Sequence, residues 1–151
     1  MTTSTDAATS DFTSTRTFEA PPERVLAALR TPEAISNWWG PTEGSAEVGG
    51  TFEVFFLGRR QVIDIRVEPS GEGRVVWHVQ RTPLTPEWDG TTIVFDVQAS
   101  GAGSVLEFRH HGLTPALECF DMCHEGWTHY LASLVSYVDT GTGQPSRHDD
   151  A

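Results

Sequence analysis

The sequence has 151 residues, 38% of them hydrophobic and 21% charged, which fits one globular domain with a sizeable core and argues against wholesale disorder. Its net charge of −11 comes from 21 acidic residues against 10 basic ones; such a field repels phosphate backbones and excludes nucleic acid as a natural partner. All ten bases are Arg, so neither a Schiff-base lysine nor a G-x-x-x-x-G-K phosphate loop is available.

Residues 1–11 are rich in Ser, Thr and Ala without periodicity and read as a disordered tail, with no basic-then-apolar leader. The segment "FTSTRTFEA" has strand character. In "PPERVLAALR" Pro22 suits a first helical turn, Glu23 favours its dipole, and Val25, Leu26 and Leu29 form an apolar stripe. Pro32 breaks that helix, and "PEAISNWWG" predicts a second short one ending near Gly40. The period then drops to two in "GGTFEVFFLG", "RQVIDIRVEP", "GRVVWHVQR", "TTIVFDVQAS" and "SVLEFRHHG". "LGR", "PSGEG" and "SGAG" are hairpin turns, whereas "TPLTPEWDG", residues 82–90, carries two prolines and is expected as a surface loop. "PALECFDMCHEGWTHYLASLVSYVDTG" predicts one long helix closed by Gly141, and residues 143–151 read as a second disordered tail. No run is long and apolar enough to span a bilayer, so a cytoplasmic protein without membrane insertion is expected.

This order predicts an α+β fold in one domain spanning residues 12–142. A curved antiparallel sheet of about six strands, joined by two short helices, grips a long C-terminal helix over a cavity. Alternation points Phe52, Val54 and Phe56 inward, then Ile63, Ile65 and Val67, then Val75, Trp77 and Val79, then Ile93, Phe95 and Val97. In the last strand Leu106, Phe108 and His110 point inward and His111 outward.

At about 100° per residue the long helix carries Phe120, His124, Trp127, Leu131, Leu134 and Val138 on its apolar side. Asp121, Glu125, His129, Ala132, Ser133 and Ser136 fall on the opposite one. His124 and His129 point to faces about 140° apart, so this is no H-E-x-x-H zinc helix. Cys119 and Cys123 lie one turn apart, a spacing poorly suited to a disulfide. They could share an ion with His124 or a histidine of "RHHG", but they lack the paired knuckles of a zinc site, and a small apolar filler is the plainer role. No metal and no cofactor is expected. The inward His110 and His124 read as an acid–base pair, as donors gripping a ligand, or as satisfied core histidines, and sequence leaves all three open.

Four motifs, "APPERVLAAL", "WWGP" from Trp38 to Pro41, "EVGGTFEV" with Gly49 and Gly50, and "EGWTHYLASL" with Gly126, Trp127 and Leu131, carry a resemblance. Over about residues 12–142 their order and spacing resemble the START-like (SRPBCC) helix-grip superfamily, and within it the bacterial, single-domain, activator of heat-shock-protein-90 ATPase homologue-like family. The resemblance implies a deep apolar cavity, used across the superfamily for lipids, sterols, polyketides or hormones, and no shared catalytic triad. It also implies that "WWGP" ends the second helix, the glycine pair opens a strand, Trp127 anchors the long helix, and Gly126 lets that helix approach the sheet closely.

The expected function is binding of a small hydrophobic ligand (a lipid, polyketide or other apolar metabolite) lined by Trp39, Trp77, Phe95, His110, Phe120, His124 and Trp127. One alternative is a cyclase, dehydratase or hydrolase acting on an apolar substrate, with His110 and His124 as acid and base. The other is a homodimeric or co-chaperone-like interaction protein, with outward Arg59, Arg60, Arg66 and Arg74 set against the surplus of acids.

Overall fold

A computed structural model describes residues 12–56, 61–69, 71, 73–81, 88–113 and 120–144, with the backbone alone at 56, 61, 81 and 120–124. The N-terminal tail, residues 82–87 of the proline-rich connection, Arg59, Arg60, Cys119 and the side chains of Phe56, Phe120, Asp121, Cys123 and His124 therefore lie outside the described residues.

The chain opens with strand β1, Phe12–Phe18, followed by helices α1, Pro22–Arg30, and α2, Pro32–Trp38. Strands β2, Thr42–Gly44, β3, Thr51–Phe56, β4, Gln61–Glu68, β5, Arg74–Arg81, β6, Thr92–Ser100, and β7, Gly103–His111, then lead to helix α3, Phe120–Thr140. The strands form one antiparallel sheet in the order β1-β7-β6-β5-β4-β3-β2. Six strands were legible in the pattern; the seventh, β2, has only three residues and pairs with Phe52–Val54. It carries no alternation of its own, so only its partner reveals it.

Local chemistry places the helices. Thr31 caps α2, its Oγ1 accepting from the Ala34 N–H at 3.2 Å, while Pro32 occupies the first turn where no N–H is needed. The Trp38 indole donates to the Ala28 carbonyl at 2.9 Å and fastens the end of α2 to α1. Gly49 opens the turn into β3 with φ +87°, and a Cβ on Gly50 would lie 2.7 Å from Ser45 Oγ, so both members of the glycine pair are required. Every described side chain assigned inward on β3–β7 is buried, which fixes the sheet's phase.

Two details of α3 differ from the sequence reading. Ser133, expected toward solvent, is only 3% exposed. Gly141, at φ +88°, turns the chain back along the helix, so that Ser133 Oγ donates to the Trp38 carbonyl at 2.8 Å and accepts from the Gln144 N–H at 2.6 Å. A helical wheel treats serine as polar and cannot know that another segment will cover it. Among the described residues Gly126 likewise serves no close approach to the sheet: a Cβ there would meet none of them within 4 Å.

Candidate ligand-binding site

The inner face of the sheet and the apolar stripe of α3 bring together all five candidate residues with described side chains. Cross-strand register sets them side by side: Trp77 pairs with Ile93, Ile93 with His110, and Phe95 with Phe108. Trp39, at the C-terminal cap of α2, lies between the layers. Its ring is parallel to Trp77 at 5.7 Å and tilted against Trp127 at 5.2 Å. Phe95 meets Trp77 edge-on at 4.8 Å, and Phe108 lies 4.6 Å from Trp127. These separations are those of favourable offset and edge-to-face pairs. Trp39, Trp77, Phe95, His110 and Trp127 are each no more than 2% exposed. Among the described residues, the space between sheet and α3 is thus occupied by the aromatic rings expected to line it.

Sequence reasoning missed the residue that closes this cluster. Trp88, assigned to a surface loop, is only 8% exposed; it stacks on Trp127 at 5.8 Å and meets His110 edge-on at 4.4 Å. Tight local bonds set its position, with Thr91 N–H and Gly90 N–H donating to the Trp88 and Val79 carbonyls, each at 2.9 Å. Two prolines upstream masked it, although a tryptophan just before "DG" is itself a signal of a buried anchor in a connection.

His110 is 0% exposed and engaged at both ring nitrogens. Trp127 Nε1–H donates to Nδ1 at 3.0 Å. Nε2–H donates to Thr91 Oγ1 at 2.8 Å, and that hydroxyl donates to the Trp88 carbonyl at 2.6 Å. An indole only donates, so Nδ1 must accept and the proton must sit on Nε2. A second proton would set two N–H groups against each other. While this chain of bonds is intact, His110 offers a substrate neither a lone pair nor a proton, which fits the satisfied core histidine of the three readings. His124 as its partner lies outside the described side chains.

One polar atom stands apart. Trp77 Nε1 is buried and has no hydrogen-bond partner among the described residues. An unmet buried donor costs about 1–3 kcal/mol.

Surface clefts lie elsewhere. One of about 680 Å³ covers the outer sheet face around Thr92, Glu107 and Arg109, and one of about 410 Å³ separates α1 from the end of α3 beside Ala28 and Tyr137. Outward Arg74 pairs with Asp96 at 2.8 Å and Arg66 with Glu68, so these two bases are matched within their own surface. No three His, Cys, Asp or Glu side chains converge in a metal-binding arrangement among the described residues, and no described helix is long and apolar enough to cross a membrane.

Residues 19–139 match the family described as Activator of Hsp90 ATPase homolog 1-like protein. No curated protein matches. Among solved structures, the Aha1 dimer from Colwellia psychrerythraea is 23% identical with a TM-score of 0.74, covering 89% of this chain and 99% of its own. Protein SSP2350 from Staphylococcus saprophyticus is 20% identical with a TM-score of 0.73, covering 92% and 99%. CalU16 from Micromonospora echinospora is 18% identical with a TM-score of 0.70, covering 89% and 69%. At such identities the likeness establishes the fold.

Proposed function

The chain belongs to the Activator of Hsp90 ATPase homolog 1-like protein family, and on that premise we propose that it binds a small, flat, apolar molecule carrying a hydrogen-bond acceptor. The fold is one whose members often bind hydrophobic ligands. The observation that carries the reading here is the Trp77 indole N–H, a buried donor with no acceptor among the described residues, inside a set of stacked rings. A ligand carbonyl or ether oxygen would meet that donor, and ring faces of Trp39, Phe95 and Trp127 would receive its apolar body, with His110 held behind them. Phe120 and His124, on the first turns of α3, complete the proposed lining.

Trp88 is the side chain that must give way, because it rides on the connection between β5 and β6. Exposing its indole, about 150–250 Å², costs about 4–6 kcal/mol at about 25 cal/mol per Å². The ligand must bury more apolar surface than that, so a molecule larger than a single indole is required. The test is titration of ¹⁵N-tryptophan-labelled protein with apolar aromatic ketones while the five indole N–H resonances are followed. Saturable shifts at Trp77, Trp88 and Trp127 support the reading. Unchanged indoles across the series, in protein shown to carry no bound organic mass, would overturn it.

A further inference from the structure

β1 is an outer strand of the sheet: among the described residues only β7 pairs with it. In an antiparallel ladder every second residue turns its peptide groups away from its partner, so one side of β1 presents a row of N–H and C=O groups at the sheet's edge. Proteins normally blunt such an edge with charged side chains, proline, a bulge, short length or a covering element. Of these β1 carries one charge, Arg16, which is half-buried and donates to Ser14 Oγ and the Thr128 carbonyl rather than standing along the open edge. The strand has seven residues without Lys or Pro, and its register with β7 runs unshifted from Phe12↔His110 to Phe18↔Ser104. The opposite edge is blunted, β2 being three residues long.

The sequence of this edge is nearly its own mirror image. Phe-Thr-Ser-Thr-Arg-Thr-Phe reads alike in both directions about Thr15, apart from Ser14 against Arg16. An antiparallel pair of two such strands centred on Thr15 sets Phe12 opposite Phe18, Thr13 opposite Thr17, Ser14 opposite Arg16, and Thr15 opposite itself. Threonine pairs are among the favourable cross-strand neighbours. A two-fold axis through Thr15 is the symmetry of an isologous interface, in which each patch meets its own copy. Charge points the same way. The chain carries 21 acidic residues, yet none lies in residues 12–18, so two copies of a net −11 molecule meet here without facing carboxylates along the strand.

A second, independent observation lies beside the strand. A cleft of about 350 Å³ runs along the edge between Thr15, Arg16 and Thr17 of β1 and Ala132 and Val135 of α3. Ala132 is exposed and Val135 half-buried, so small apolar groups face solvent next to the open edge. A two-fold axis perpendicular to the sheet keeps both α3 helices on the same face and brings this cleft against its copy.

We infer that β1 is a homodimer interface, at which a second copy of this chain docks antiparallel, centred on Thr15, joining the two sheets edge to edge. The test uses the full chain, with light scattering across a concentration series and two variants, Thr15→Lys and Thr15→Glu. Thr15 is exposed, so both variants should keep the far-UV circular dichroism and melting of the wild type. The wild type is expected at twice the 16.6 kDa chain mass, and each variant alone as a monomer, its association weakened at least tenfold by like charges directly opposed. An equimolar mixture of the two is expected to regain the dimer mass. A wild type that stays monomeric at millimolar concentration overturns the proposal, as does a dimer that neither variant weakens or a mixture that stays monomeric. Hydrogen exchange of the wild type gives a reading free of variants: the outward amides of β1 should slow as concentration rises, and concentration-independent exchange there contradicts the interface.

Discussion

Trp127 joins the packing of α3 to the hydrogen bonding of His110, and two substitutions separate those contributions. The side chain is 2% exposed, in contact with the rings of Trp39, Trp88 and Phe108, and its indole donates to His110 Nδ1 at 3.0 Å. Trp127→Phe keeps most of the apolar volume but removes the donor, leaving a buried imidazole nitrogen unmet at about 1–3 kcal/mol. Trp127→Ala removes the ring as well. Large buried aromatics cost about 3–5 kcal/mol on truncation, and the orphaned nitrogen places this one at about 5 kcal/mol, the top of that range. Urea unfolding followed by far-UV circular dichroism reads both losses, provided the dependence on denaturant stays linear and of similar slope. A loss below about 1 kcal/mol for Trp127→Ala would remove the residue from the core and undo the phase of α3. A loss below about 0.5 kcal/mol for Trp127→Phe would refute the Trp127–His110 bond and the Nε2–H tautomer built on it.

Three further outcomes follow from the same geometry. Gly126→Ala should stabilise the chain by about 0.5–1 kcal/mol, since its Cβ meets no described residue within 4 Å and α3 gains a better helix former; a loss in the urea midpoint would mean that the helix does need the glycine. Ser133→Ala should cost about 1–2 kcal/mol, the loss of one buried and one half-buried hydrogen bond being partly offset by helix propensity, and an unchanged midpoint would contradict the returning segment at Gln144. Trp88→Ala should lower the unfolding midpoint yet bind an apolar fluorescent dye more tightly than wild type while still melting cooperatively, and dye binding no stronger than wild type would argue against Trp88 as the side chain that closes the cluster.

The parts of this structure legible in the sequence are those with a repeating signal. Alternation on β5, β6 and β7 is enough to put Trp77, Phe95 and His110 on one face, because register forces every second side chain inward. The three-residue β2 offers no such period and went unseen. Trp88 was missed for a related reason: composition identifies a connection, but only its contacts with Trp127 and His110 reveal that one residue of it reaches inward. Three roles stay open for His110 in the sequence because strand phase gives direction without partners. The indole that fixes its tautomer comes from α3, and the hydroxyl from Thr91, a pairing no local pattern encodes. Gly126 shows the converse hazard, in which a motif suggests a tight contact that the packing of the described residues does not contain.

Ligand binding among the indoles is tested most directly by mass spectrometry of the freshly purified protein under native and denaturing conditions. The expected result is a native mass exceeding that of the polypeptide, 16.6 kDa for each chain of the assembly, by one small organic molecule per chain, lost on denaturation and recovered as an apolar compound with an oxygen or nitrogen acceptor. A native mass equal to that of the polypeptide alone, whatever its oligomeric state, in protein whose Trp77 indole resonance no apolar compound moves, would contradict it.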